Sequence, residues 1–261
     1  MKNIKMIVTD LDNTLLRKDK TTSDYTKSII KKCIERGLLV VFATARPERA
    51  TRQWQINKES TYVIANNGAT ITHNEKEIMN IAIPEATKDN IIKRFVNSPS
   101  VTGITAEVGD FLYTLDITDW VMKCDDGGWN PVLHDFTTTI KEDMCKLCVE
   151  CKNPEIVSSI LADFPDLRIF PNSGEDWHMI MHKSTSKLNA ISYLAKLKGL
   201  DIKDVIAFGD DYNDVEMLKG CGVGVAVENS ANEAKQAADY ICGFNDEDGV
   251  ARYIEKYVIG E

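Results

Sequence analysis

No uninterrupted apolar run in the 261 residues approaches the roughly 18 that a membrane-crossing helix needs. The apolar stretch near the N-terminus, set between Lys2, Lys5 and Asp10, is only a few residues long, too short for the core of a secretory signal. Positive charge is in deficit. Lys and Arg number 31 against 40 Asp and Glu, and the net charge of -9 disfavours nucleic acid or an anionic membrane surface as partner, while leaving room for a local basic site. Cysteine is present without a framework: seven residues, an odd number at irregular spacing and with no secretion signal, fit free thiols in a reducing compartment. A cytoplasmic protein is therefore expected. There is no internal repeat and no low-complexity tract, and a chain of this length, at about 150 residues per domain, makes two moderate domains the expectation.

The first eighty residues alternate short β-branched runs with amphipathic segments: "IKMIVT", "SDYTKSIIKKCIERG", "LLVVFAT", a helix-like stretch after Pro47, and "TYVIA". In the first helix Ser23 suits the N-cap, Tyr25, Ile29, Cys33 and Ile34 share a face, and Gly37 suits the stop. Strand runs that are apolar throughout imply a parallel sheet covered by helices on both faces. The same alternation returns at the C-terminal end in "SKLNAISYLAKLKG", "DVIAFG", "DVEMLKG", "VGVAV", "SANEAKQAA", "YIC" and a last helix from about Asp246. Between them, from about Ile81 to Met181, Trp120, Trp129 and Trp177 appear, strands such as "FLYTLDI" and "KLCVEC" alternate, and an inserted α+β domain is expected. The hairpin-like "ATITHNEKEIMNIAI" carries the chain out of the first layer, and the return falls near Lys183.

The stretch "KMIVTDLDNTLL" places Asp10 and Asp12 two residues apart where a buried run stops. Two carboxylates about 5 Å apart repel by about 3 kcal/mol at an effective dielectric near 20, so the pair requires a cation or a shared proton unless it is an ordinary polar turn. In an open parallel sheet ligands bind beyond the carboxyl ends of the strands. The residues there are Asp10, Asp12 and Thr14; Thr44, Ala45 and Arg46; Asn66, Asn67 and Gly68; and "GDDYND", Gly209 to Asp214, with Lys187 opening the preceding helix. Carboxylates and hydroxyls gathered at one edge suit a hard cation such as Mg²⁺, which takes oxygen ligands and leaves positions to substrate phosphate. A lysine at a helix N-terminus opposes the helix dipole, which points to a bound anion.

In order and spacing these segments resemble the four motifs of the haloacid dehalogenase superfamily: "DLDNT", "TAR", Lys187 and "GDDYND". The insertion between the third strand and the lysine helix resembles the Cof-like subgroup with a type 2 cap. The resemblance implies an α/β fold, a Rossmann-like parallel sheet core of three layers from residues 1–82 and 183–261, with an inserted α+β cap domain at 83–182 that sets substrate specificity. It implies a Mg²⁺-dependent phosphatase acting on a small soluble phosphomonoester, plausibly a sugar phosphate. Asp10 would attack phosphorus to form an aspartyl phosphate, and Asp12 would serve as general acid and then base. Asp10, Asp210 and the Asp12 carbonyl would hold the metal, with Asp211 and Asp214 supporting it from behind and orienting Lys187. Thr44, Asn213 and backbone N–H groups near Leu11 and Ala45 would bind phosphoryl oxygens, whose charge Lys187 offsets. Asn13, Ala45 and Leu188 stand where the subgroup usually has glycine.

Two other uses of the same groups are a phosphomutase or phosphotransferase and a non-enzymatic phospho-accepting domain, the latter at odds with the chain length and with an Asp pair after the first strand. Arg46 is open between a phosphate or cap contact and a surface ion pair. Cys145, Cys148 and Cys151 read as strand residues rather than metal ligands, since no fourth Cys or His is near in sequence. "KCDDGGWN" reads as a solvated loop. Trp120, Trp129, His134, Asn172, Trp177 and His178 are candidates for a roof over the substrate.

Overall fold

The computed structural model describes residues 4–55, 59–116, 130–170 and 176–260. Trp120, Trp129, Asn172 and most of "KCDDGGWN" lie outside them. The strands, in chain order, are β1 (Met6–Thr9), β2 (Leu39–Ala43), β3 (Thr61–Ala65), β4 (Thr70–His73), β5 (Lys76–Asn80), β6 (Gly103–Val108), β7 (Phe111–Thr114), β8 (Pro131–Leu133), β9 (Met144–Glu150), β10 (Leu167–Phe170), β11 (Trp177–His182), β12 (Val205–Gly209), β13 (Val223–Ala226) and β14 (Tyr240–Ile241). The chain divides into two compact units: Met1–Glu48, Gln53–Met79 and Ser186–Glu261 form one, and Arg49–Arg52 with Asn80–Thr185 form the other.

The first unit is built on an eight-stranded sheet in the order β14-β13-β12-β1-β2-β3-β4-β5. Pairing is parallel from β14 through β3, and β4 turns back antiparallel on β3. Every residue of β1 is buried, because successive side chains enter opposite cores. Ile7 joins Ile29, Cys33, Phe42, Phe208 and Ile254 on one face; Met6 and Val8 join Ile191, Leu194, Ala207 and Met217 on the other. Each such large side chain taken from water contributes about 1.5–3 kcal/mol. Three layers result, helix on sheet on helix. The chain leaves β1 for β2 and β3 on one side and reaches β12 and β13 on the other, so the strand order reverses beside β1. At that reversal the loops diverge and open a crevice at the strand ends.

The first helix, Asp24–Glu35, has the expected ends: the Ser23 hydroxyl accepts from the Thr26 N–H, and Gly37 follows at φ 77°. The helix-like stretch after Pro47 is a 3₁₀ helix, Glu48–Trp54. The last helix is also shorter than its sequence pattern. Asp248 adopts a left-handed φ of 58°, which separates a 3₁₀ turn at Asn245–Glu247 from the helix Gly249–Ile254.

The second unit is a six-stranded sheet in the order β10-β11-β9-β6-β7-β8. Its pairs are antiparallel where β10, β11, β9, β6 and β7 meet, and β8 joins β7 in parallel. Ile104, Ala106, Val108, Leu147, Val149 and Ile180 face the helices Glu85–Val96 and Pro154–Leu161, which supply Ile91, Phe95, Val157 and Ile160. Glu107 and Lys146 alternate to the opposite face. The β6–β9 ladder passes from Lys146 to Met144 without pairing Cys145, a bulge that defeats simple two-residue alternation through the cysteine triplet. Cys145, Cys148 and Cys151 are free thiols, and burial pushes Cys145 up to about 12 and raises Cys148, keeping both from the thiolate form a metal needs.

Candidate active site

Asp10 follows β1 directly, with its N–H donating to the Phe208 carbonyl of β12 at 2.9 Å. The next five residues, Leu11–Leu15, form a tight π-type turn, in which Asn13 takes φ 56° and the Leu16 N–H reaches back to the Leu11 carbonyl at 2.8 Å. Asparagine is among the few side chains that tolerate this left-handed conformation, so the exchange of glycine for Asn13 preserves the turn. The Leu11 side chain is wholly buried and only its backbone faces the strand ends. Asp12 stands on the outward side of the same turn.

Four sheet-end segments close on Asp10. Lys187 is the first residue of the helix Lys187–Leu197, whose N-cap Ser186 accepts from the Asn189 N–H. Its Nζ donates to Asp10 Oδ1 at 2.7 Å and to Asp214 Oδ1 at 2.6 Å. All three side chains are buried. Burial alone pulls Lys187 down, but Asp10 and Asp214 outweigh it and hold the ammonium above its usual range. Asp214 Oδ2 accepts the N–H groups of Asp210 and Asp211, and the Asp211 side chain caps the same turn in return. This close seat requires Gly209: a Cβ there would lie 2.6 Å from Asp214 Cβ. Asp210 Oδ1 accepts from the Thr14 hydroxyl at 2.7 Å.

One oxygen each of Asp10, Asp210 and Asp214 lies within 4.8 Å of the others. Burial first, then neighbouring carboxylates against the pull of Lys187, raise Asp10 well above the ordinary carboxylate range. Burial and Asp214 raise Asp210 to about 7 despite the Thr14 hydrogen bond. Among the described residues, three crowded carboxylates face one ammonium, which leaves the cluster short of positive charge. An all-oxygen donor set with this deficit fits a hard divalent cation such as Mg²⁺.

Asp12 is the exception among these acids. Burial works to raise it, but Arg46 and Lys20 prevail and hold it at about 2. Arg46 Nε and Nη2 bind its two oxygens at 2.6 and 2.8 Å, and Lys20 Nζ adds a bond of 2.8 Å. The open reading of Arg46 is thus resolved toward an ion pair, made to Asp12. Thr44 accepts the Arg46 N–H on its hydroxyl, donates its own N–H to the Ile64 carbonyl of β3, and accepts the Asn67 N–H from the turn that follows β3. Ala45 is half-buried and does not adopt a left-handed φ. Asn213 donates to Asn67 Oδ1 at 2.8 Å, tying the fourth segment to the third. Leu188 points toward the helix Val215–Gly220, where Gly220 makes room for it; a Cβ on Gly220 would stand 2.4 Å from the leucine. Lys20 and Trp54 were not singled out in the sequence. The available signal for Trp54 was its place as the one tryptophan outside the inserted region, in "TRQWQ".

In the second unit His134 stacks on Tyr113 at 5.0 Å and accepts from the Phe136 N–H. His178 Nε2 meets the Cys151 carbonyl, and Trp177 packs over Gly103. These contacts account for their positions within that sheet.

A family model of haloacid dehalogenase-like hydrolases matches residues 7–254. The chain therefore belongs to that family, and its enzymatic class is phosphatase. A Bacillus subtilis (strain 168) protein named 5-amino-6-(5-phospho-D-ribitylamino)uracil phosphatase YitU is 29% identical over 265 residues, with 97% of each chain covered. A haloacid dehalogenase-like hydrolase from Bacteroides thetaiotaomicron has a solved structure that aligns at a TM-score of 0.84 with 26% identity, over 97% of this chain and 99% of the other. A solved subclass IIB sugar phosphatase of the same superfamily, 21% identical, shares the fold at a TM-score of 0.82 over 98% and 99% of the two chains. Among the described residues no helix is long and apolar enough to cross a membrane.

Proposed function

We propose that this chain is a Mg²⁺-dependent phosphatase of small phosphomonoesters, working through an aspartyl phosphate on Asp10. The observation that carries the reading is the buried Lys187 bridging Asp10 and Asp214 beside Asp210, at the strand ends where the order reverses. Lys187 fixes Asp10 Oδ1 and leaves Oδ2 to attack phosphorus. The new O–P bond forms as the ester P–O bond breaks, and Asp12 passes a proton to the departing oxygen. Water then attacks phosphorus, Asp12 takes its proton, the Asp10–phosphorus bond breaks, and inorganic phosphate leaves. Mg²⁺, when bound by Asp10, Asp210 and the Asp12 carbonyl, supplies positive charge to the phosphoryl oxygens. The Thr44 hydroxyl and the N–H groups of Leu11 and Ala45 orient the same oxygens.

The pair with Arg46 and Lys20 holds the resting Asp12 ionised, as the base half of the cycle requires. For the acid half it first takes a proton from solvent, and the proton it later removes from the attacking water is returned there. The Bacillus subtilis relative is named for a substrate that carries its phosphate on a ribityl chain, which supports a phosphorylated sugar or sugar alcohol here. Residues 83–182 form the cap in this reading and select the leaving group.

Asp10→Asn, checked for folding by circular dichroism, is expected to lower Mg²⁺-dependent phosphate release from p-nitrophenyl phosphate by about three orders of magnitude or more. Near-normal release would remove Asp10 as nucleophile. Stoichiometric inorganic phosphate under turnover is expected; transfer to another hydroxyl would make the enzyme a mutase.

A further inference from the structure

Asp12 is carried on an irregular turn with no sheet ladder to fix it, and its side chain is 30% exposed. A group that must move a proton in two successive steps has to be aimed, because small misplacements cost large factors in rate. Arg46 sets the plane of the carboxylate with its two-pronged contact, and Lys20 adds a third charged bond. Trp54 touches both residues. Its indole Nε1–H donates to the Lys20 carbonyl at 2.9 Å, and the Arg46 guanidinium lies 5.0 Å from its ring centre. Trp54 itself is buried in the core cluster that contains Leu15 and Leu16, so both holds start from a fixed point.

Lys20 is also strained. Its φ is 63°, a conformation that costs an ordinary L-residue energy and is usual for glycine. The turn is closed by the Lys20 N–H to the Arg17 carbonyl and the Arg17 N–H to the Thr21 carbonyl. A strained residue whose carbonyl is pinned by a buried tryptophan and whose ammonium reaches a reactive acid fits a functional constraint. Phenylalanine could offer the ring and not the donor; tryptophan supplies a π-face for the guanidinium and an N–H for the carbonyl together.

We propose that Lys20 and Trp54, which lie outside all four motifs, are positioning residues for Asp12. This rests on the reading of Asp12 as the proton carrier. The test uses the full chain with Mg²⁺ and two aryl substrates of similar shape, p-nitrophenyl phosphate, whose leaving group departs readily without a proton, and phenyl phosphate, whose leaving group needs one more. Lys20→Met and Trp54→Phe are expected to lower kcat on phenyl phosphate about 10-fold and on p-nitrophenyl phosphate clearly less, with KM unchanged within about twofold; Lys20→Arg restores most of the loss. Equal losses on the two substrates would mean a merely structural role and overturn the proposal, as would unchanged kcat on both or a change confined to KM. Lys20 is half-exposed, so Lys20→Met carries the test if Trp54→Phe does not fold. Asp12→Asn separates the levels: if it retains full rate on both substrates, the reading of Asp12 fails; if it is impaired while Lys20→Met is not, only the positioning proposal fails.

Discussion

Each unit buries a cluster of charge, and the two clusters are built differently. In the first, Asp10, Asp210 and Asp214 cluster around the ammonium of Lys187, which among the described residues bonds to Asp10 and Asp214. In the second, Glu107 on β6 takes Arg49 Nη2 at 2.7 Å and lies 3.8 Å from Lys146 Nζ, so one carboxylate meets two cations. The second cluster has its counter-charges within the protein and serves to hold a 3₁₀ segment on a sheet. The first crowds carboxylates together, and burial first, then the neighbouring carboxylates, raise Asp10 and Asp210. Burial of charge is common to both; crowded like charge at a strand-order reversal is what the proposed function reads as a place for metal and substrate.

The sharpest way to break the comparison is to remove the central ion from each cluster. Lys187→Met is expected to lower phosphate release by about 10³-fold, since it removes charge aimed at both nucleophile and substrate. Glu107→Gln removes the charge of a carboxylate shared by two buried cations and is expected to cost about 3 kcal/mol in urea unfolding. It leaves the stabilising effect of Mg²⁺ intact, because no ligand of the first cluster is touched. Mg²⁺ at about 100 times its dissociation constant should stabilise the wild type by about 2.7 kcal/mol, and Asp210→Asn should abolish most of that shift while Glu107→Gln retains it.

The acids also set a pH dependence with a definite sign. The folded value of Asp210, about 7, lies above its ordinary 3.8, so its contribution to stability is full below the lower value and is lost as pH rises through the higher. Asp12 has the reverse sense: held at about 2, its contribution is present above 3.8 and is lost on acidification toward 2. Without metal, the thermal midpoint is expected to be lower at pH 8 than at pH 6, and Mg²⁺ should erase the difference. The smallest expected effect is that of Asn13→Gly, which keeps the left-handed φ of 56° open and should change stability by less than about 1 kcal/mol with activity retained.

The apolar runs of β1, β2, β3 and β12 were legible because a buried parallel strand needs little besides continuous β-branched and aliphatic residues. Asp10, Thr44, Asn66 and Asp210 were legible as strand-end residues because each follows such a run directly, and parallel sheet geometry places strand ends along one edge. The partners of Asp12 were not. Lys20 and Arg46 lie 8 and 34 residues from it, and no local period encodes a contact set by the path of a loop. The same holds for Arg49 with Glu107, 58 residues apart, and for the bulge at Cys145, which depends on the partner strand. Glu48–Trp54 was legible as helical but not as 3₁₀, because over seven residues a 3.0 and a 3.6 period are hard to tell apart.

The central claim is that the charge-deficient cluster makes Asp10 a nucleophile toward phosphorus. Its most direct test is to mix the enzyme with Mg²⁺ and a phosphate-radiolabelled monoester, quench in acid within one turnover, and locate the label by peptide mapping. Label on the peptide containing Asp10, chased into inorganic phosphate by unlabelled substrate, is the predicted result. Phosphate release at the full rate with no label on the protein at any time would contradict it.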